Sequence, residues 1–129
     1  MAYNSWDSRV NIDRMVGQVF TRVYGDVGDR QMVFENDRER FVFFHSQDCC
    51  ESVDINDITG NLQDLVGEPL LMALEVKGYV GPEPEYPDSY TYTFYKFATR
   101  LGYVDVRWLG ESNGYYSESV DLGHELVDL

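Results

Sequence analysis

The chain has 129 residues, enough for one ordinary domain with a core of its own. Hydrophobic residues make up 43% of it and aromatic residues 15%, which disfavours a disordered chain. The formal net charge of −13, from 23 acidic and 10 basic side chains, disfavours direct binding to nucleic acid or to anionic lipid, and is compatible with plain solubility or with a basic partner.

The first half of the chain predicts a loose arm followed by a three-stranded meander. Residues 1–10 are expected to form a flexible arm, and Asn11 is suited to cap a short helical turn. Alternating or bulky side chains then predict strands at 18–24, 31–35 and 40–45, with polar turns between them. The short connections favour antiparallel pairing.

The middle of the chain and its end complete the predicted fold. Asn61 is a plausible N-cap for a short helix at 62–66, and the apolar segment 70–76 favours a further strand. Proline-rich 78–89 indicates an exposed acidic loop, and 121–129 a frayed tail. The expected fold is α+β: a single domain over 1–129, dominated by an antiparallel sheet of about six or seven short strands, with one or two short helices.

Residues 90–109 predict a β-hairpin in which Gly102 occupies the turn. If Thr99 paired with Tyr103, Lys96 would lie among core residues. If Ala98 pairs with Tyr103, Lys96 lies opposite an acid instead. The second register is favoured because a buried, unpaired ammonium group is costly. It puts these residues on one core-facing side: Tyr95, Phe97, Val104, Val106 and Trp108.

The opposite side of this hairpin carries aromatic rings and two positive charges, a combination that suits an anionic, planar ligand such as a nucleotide. The turn at Asn113 and Gly114 would add an amide and nearby hydroxyls. The alternative is a solvated face on which Lys96 pairs with Asp105. The predicted ligand site consists of Tyr92, Phe94, Lys96, Arg107, Asn113 and Tyr115. The same aromatic face would equally suit a homodimer interface.

A second candidate cluster lies in the polar segment after the third predicted strand: His45, Gln47, Cys49, Cys50 and Glu51. Adjacent cysteines form an awkward chelate for tetrahedral zinc, so no metal is expected. A cysteine nucleophile would need a base within reach, and no signature of a cysteine enzyme surrounds the pair. A vicinal disulfide is not expected either. The histidine and cysteines are instead expected to be partly buried and satisfied by the turn.

Two observations concern the cellular setting. No segment approaches the roughly 20 apolar residues that span a bilayer, and the first residues lack the basic start and apolar core of a secretory signal. Adjacent cysteines cannot close a long stabilising loop of the kind that secreted domains use. We therefore expect a cytoplasmic protein with no membrane partner.

Several motifs occur together in the C-terminal two-thirds of the chain. They are His45, QDCCE at 47–51, TFYKFAT at 93–99, Arg107 with Trp108, and GESNGYYSE at 110–118. In combination they resemble a family of small phage and prophage proteins that carry a domain of unknown function. The resemblance implies a virus-associated origin and a single compact domain. It implies no activity, cofactor or site residue.

Two functions fit these features. In the first, a phage accessory protein binds a basic host protein non-covalently, for example as a host-defence inhibitor that imitates nucleic acid. In the second, the chain binds or sequesters a small anionic ligand at Lys96 and Arg107. A continuous acidic face would favour the first, and a concave pocket with converging Lys96 and Arg107 the second. Phosphate-loop and dinucleotide motifs are absent, and no pair of carboxylates stands out, so neither an enzyme nor a cofactor is expected.

Overall fold

The computed structural model describes residues 9–78 and 89–127 of the chain. Within these ranges the regular structure consists of eight strands and two short 3-10 helices. The strands are β1 (Arg22–Tyr24), β2 (Gln31–Glu35), β3 (Glu39–Phe44), β4 (Ser52–Thr59), β5 (Met72–Gly78), β6 (Ser89–Thr99), β7 (Gly102–Ser112) and β8 (Asp121–Leu126). The helices are Ile12–Met15 and Leu62–Leu65.

The strands form two four-stranded antiparallel sheets, so the described chain is mainly β rather than α+β. The first sheet has the order β1-β2-β3-β8 and the second β4-β7-β6-β5. The expected meander is confirmed, since β1 pairs with β2 and β2 with β3. The predicted helical turn after Asn11 and the predicted short helix at 62–66 are both present, each as a single 3-10 turn rather than an α-helix. Asn11 and Asn61 cap these turns as predicted, but extended residues follow each turn at once.

Both ends of the described chain attach to the first sheet. Strand β8 pairs with β3 along its full length, so the frayed tail expected from residue 121 is wrong as far as residue 126. Most of the expected flexible arm, residues 1–8, lies outside the described residues. Arg9 forms an isolated bridge to Gly123, and its guanidinium group lies 3.1 Å from the carboxylate of Asp121.

Aromatic side chains fill the space between the two sheets. The ring of Phe34 lies 4.8 Å from that of Phe97, and Phe43 lies 4.6 Å from Tyr95, measured between centroids. Trp108 belongs to the same core and has no solvent exposure. Each such ring stabilises the fold by about 1.5–3 kcal/mol through apolar burial. The two sheets therefore form a sandwich around one shared core.

The predicted register of the central hairpin is confirmed. Ala98 pairs with Tyr103, and Lys96 pairs with Asp105. The five residues assigned to the core-facing side are all buried to 1% exposure or less. The opposite side of β6 and β7 therefore forms the outer face of the second sheet, together with matching residues of β4 and β5.

Candidate functional site

The carboxylate of Glu51 organises the loop between β3 and β4. One carboxylate oxygen accepts hydrogen bonds from the backbone N–H of Cys49 at 2.8 Å and the side-chain amide of Gln47 at 3.3 Å. The other accepts from the backbone N–H of Asp48 at 2.9 Å and lies 2.7 Å from Nε2 of His45. Four donors thus converge on one side chain that has no solvent exposure.

This environment holds Glu51 in its charged form. Burial alone would raise the pKa of the carboxyl, because a charge loses its hydration in the interior. The hydrogen bonds from His45, Cys49 and Asp48 outweigh burial and lower the pKa of Glu51 to about 2. The loop backbone is consequently tied to an ionised, internal carboxylate at neutral pH.

His45 completes this cluster, and each of its two ring nitrogens contacts an oxygen atom of the protein. Nδ1 lies 2.6 Å from the backbone carbonyl oxygen of Ser119, and Nε2 faces Glu51. Both ring nitrogens are therefore within hydrogen-bonding distance of an oxygen atom of the fold. Neither nitrogen is left to take a proton from a neighbouring cysteine, as a catalytic base must. The cluster is therefore built to fix a loop rather than to activate a thiol.

Cys49 and Cys50 differ from their predicted state. Both are exposed, and they form a vicinal disulfide with a Cα–Cα separation of 3.7 Å. The expectations of partial burial and of no disulfide are therefore wrong. The physical reason is that Glu51 and Gln47 bind the backbone of the loop, which leaves the sulfur atoms on its outside. Among the described residues, no group of three or more histidine, cysteine or acidic side chains is arranged to hold a metal ion.

The two cations of the predicted ligand site already have partners within the chain. Lys96 Nζ lies 3.8 Å from the carboxylate of Asp105, the cross-strand pair that was the alternative to a ligand site. Arg107 donates from Nε to the side-chain oxygen of Asn56 at 2.7 Å, and its guanidinium group lies 5.3 Å from the ring centre of Tyr92. A register shift between β4 and β7 at Asn56 directs this side chain towards Arg107.

The other predicted ligand residues lie on different parts of the hairpin. Tyr92 is only 1% exposed, whereas Phe94 is half-buried. Asn113 and Tyr115 follow Ser112, seven positions along β7 from the partner of Lys96, or about 23 Å at the usual strand rise. The side chain of Asn113 accepts a hydrogen bond from the backbone N–H of Tyr115. The structure thus brings Tyr92, Phe94, Lys96 and Arg107 onto one face and leaves the turn at its far end.

Sequence reasoning missed an apolar strip on that same outer face. Strand β5 places Leu74 beside Lys96 and Val76 beside Phe94. Both are 47% exposed, and Tyr103 on β7 is 74% exposed. The strip consists of the exposed or half-buried apolar residues of this face: Leu74, Val76, Phe94, Leu109 and, beyond the Lys96–Asp105 pair, Tyr103. Its signal in the sequence was the apolar residue at every second position of 72–76, but only the β5–β6 pairing joins these residues to the hairpin.

Acidic side chains of β4 and β7 share this face with the strip. Among the strand residues of this outer face, the acids are Asp54, Asp57, Asp105 and Glu111, and the cations are Lys96 and Arg107. Burial raises the pKa of Asp54, while the nearby charge of Arg30 opposes the rise. The first sheet has a more balanced outer face, on which Arg40 bridges Glu35 at 2.9 Å and Glu125 at 2.8 Å. The second sheet is therefore the more acidic of the two.

A polar groove of about 310 Å³ lies at the end of the second sheet, beside the turn that contains Asn113. Its lining includes hydroxyl groups from Ser89, Thr91 and Ser117. The carboxylate of Glu118 in this groove accepts hydrogen bonds from Thr91 at 2.7 Å and Ser112 at 2.5 Å. Neither Lys96 nor Arg107 lines it. The groove is thus separate from the predicted anion site.

These features define an antiparallel β-sandwich with a fixed disulfide-bearing loop and an apolar, acid-bordered sheet face. Comparison with known families matches residues 13–122 to the domain of unknown function DUF7448, and the chain belongs to this family. No curated protein and no solved structure matches the chain. Over the described ranges, none of the helices has the length and apolar character needed to span a membrane.

Proposed function

We propose that this protein acts by non-covalent binding of another protein through the outer face of its second sheet. The observation that carries the proposal is the exposure of Leu74, Val76 and Tyr103 on the same outer face, with Leu74 and Val76 adjacent on β5 and Tyr103 two strands away on β7. Several exposed apolar side chains on one face of a soluble domain are typical of interaction sites, because covering them removes apolar area from water. Regular strands held by their pairing also need little reorganisation on binding.

The charges around the strip indicate the chemistry of the partner. Four carboxylates and two cations share this face, and both cations already have partners. The chain as a whole carries −13. A complementary surface is therefore an apolar patch bordered by lysine and arginine. Opposite charges at such a rim steer the encounter and raise the association rate more than they raise the affinity.

A second copy of this chain fits the face less well than a basic partner does. Two copies would bring surfaces of the same sign together, and each copy carries −13. The face spans about four strands by seven residues, or about 400 Å², from standard strand spacings. That area suits a transient complex rather than an obligate dimer. We therefore expect a monomer and a micromolar dissociation constant for the partner.

The specific form of the proposal is a phage-associated accessory protein that inhibits a basic host-defence protein by imitating nucleic acid. The net charge and the resemblance of the segments at 45–51 and 93–118 support it. The small-anion alternative has less support, because Lys96 and Arg107 are engaged by Asp105, Asn56 and Tyr92. Nucleotide binding at Lys96 and Arg107 stays a prediction, which titration of the purified chain with nucleotides would test.

The test compares the wild type with a variant that puts charge into the strip. Val76→Glu combined with Tyr103→Glu adds two carboxylates at exposed positions, where the fold tolerates polar side chains. The matched control, Val16→Glu with Leu126→Glu, adds the same charge at exposed apolar positions outside the second sheet. Each immobilised protein is incubated with lysate from cells that encode the chain. Captured proteins are identified, purified and titrated against all three forms.

The proposal expects one captured protein with a basic surface that binds the wild type and the control alike. Its affinity for the strip variant should fall at least about tenfold, and added salt should slow association. Equal binding to all three forms would overturn the assigned face. Analytical ultracentrifugation provides a second test. If the wild type sediments as a dimer and the strip variant as a monomer, the occupant of the face is a second copy of the chain.

A further inference from the structure

The disulfide between Cys49 and Cys50 is exposed on a loop whose backbone does not depend on it. Glu51 accepts hydrogen bonds from the backbone N–H groups of Asp48 and Cys49, and Gln47 donates to the backbone oxygens of Cys49 at 3.1 Å and Glu51 at 2.6 Å. None of these bonds involves a sulfur atom. We therefore expect these hydrogen bonds to hold the loop in the same conformation after the disulfide is reduced.

A bond between neighbouring residues contributes little to stability. Disulfides stabilise chiefly by closing long loops in the unfolded chain, and the closed loop here spans adjacent residues. A buried structural role is excluded because both cysteines are exposed. The disulfide is thus accessible to thiols, as thiol–disulfide exchange requires. Its reduction should not disrupt the fold.

We propose that Cys49 and Cys50 form a reversible two-electron exchange site for dithiols. One thiolate of the dithiol attacks a sulfur of the pair, which breaks the Cys49–Cys50 bond and forms a mixed disulfide. The second thiolate of the reductant then attacks the reductant's sulfur atom in the mixed disulfide, which releases the second cysteine as a thiolate. The reductant leaves as its own disulfide, and the two cysteine sulfurs gain two electrons and two protons.

The geometry selects dithiols over monothiols. After a monothiol attacks, the freed cysteine stays beside the mixed disulfide because the loop is fixed by Glu51. It displaces the monothiol again at high effective concentration. A dithiol escapes this reversal, since its own second thiol completes the reduction. Oxidation of the reduced pair by a small disulfide should also pass through a mixed disulfide. The neighbouring cysteine should then rapidly displace the small thiol and form the Cys49–Cys50 bond.

The first experiment measures alkylation of the native protein by iodoacetamide, with intact mass as the readout. Protein purified without reductant should take up no label. Dithiothreitol should expose both cysteines for labelling, whereas glutathione at equal thiol concentration should expose few. Reduction should shift the melting temperature by less than about 3 °C. Labelling before reduction, equal reduction by glutathione, resistance to dithiothreitol or a larger thermal shift would each overturn the proposal.

The second experiment uses single-cysteine variants to test reclosure. Reduced wild type, treated with oxidised glutathione, should regain the disulfide without a lasting adduct. Cys49→Ser and Cys50→Ser should each retain one glutathione, because no neighbouring thiol remains to displace it. These substitutions are at exposed positions and leave the Glu51 contacts in place. A lasting adduct on the wild type, or none on either variant, would contradict the proposal.

Discussion

Replacing Glu51 by glutamine tests the buried cluster that fixes the loop. In glutamine one carboxylate oxygen becomes an NH2 group, which places a donor against two of the four donors that Glu51 now satisfies. At least one backbone N–H or the ring of His45 then loses its acceptor inside the protein. We expect Glu51→Gln to destabilise the fold for this reason.

The size of the loss follows from the pKa of Glu51. A fall from 4.5 in the unfolded chain to about 2 in the fold corresponds to about 3 kcal/mol of stabilisation, at about 1.4 kcal/mol per pH unit. Because the folded pKa is the lower one, this stabilisation is complete above about pH 5 and is lost as the pH falls towards 2. A domain stable by about 5–15 kcal/mol would register that loss clearly.

The assay is urea unfolding at a series of pH values from 7 to 3. Wild type should be about 3 kcal/mol more stable than Glu51→Gln at pH 7, and the difference should narrow to about 1.4 kcal/mol at pH 3. Asp37→Asn is the matched control, since it removes one charge from an exposed turn residue. Its curve should run parallel to that of the wild type. A Glu51→Gln curve that also runs parallel would refute the reasoning.

Two further substitutions test contacts around the hairpin, each by urea unfolding at pH 7. Gly110→Ala would place a Cβ atom against the backbone carbonyl of Glu118, so we expect a loss of about 1–3 kcal/mol, and an unchanged midpoint would contradict that close approach. Arg107→Met keeps the stem over Tyr92 but removes the hydrogen bond to Asn56 and the charge over the ring; we expect a loss of about 1 kcal/mol. A variant as stable as wild type would show that Arg107 is free to serve a ligand.

The local patterns of the chain predicted six of the eight strands and missed β4 and β8. Alternation located the meander, and the cost of burying Lys96 selected the correct hairpin register. The two asparagine caps were also found, because a side-chain acceptor before a turn is a local signal. The bounds of the two capped segments were predicted to within a residue, but their 3-10 character was not.

Features that depend on distant pairing could not be predicted. Residues 121–126 resemble a tail by themselves and become strand β8 only because β3 offers an unpaired edge. The apolar strip requires β5 to lie beside β6, which no local pattern specifies. The role of Glu51 was likewise hidden, since its donors include Nε2 of His45 and backbone groups whose direction depends on the loop. The segment was recognised as unusual, but its centre was taken to be the cysteines.

The most direct test of the central claim is calorimetric titration of the captured partner against wild type, the strip variant with Val76→Glu and Tyr103→Glu, and the control with Val16→Glu and Leu126→Glu. The account predicts micromolar binding to wild type and control, at least about tenfold weaker binding to the strip variant, and a negative heat-capacity change from apolar burial. Undiminished binding to the strip variant would contradict the claim that the outer face of the second sheet is the binding surface.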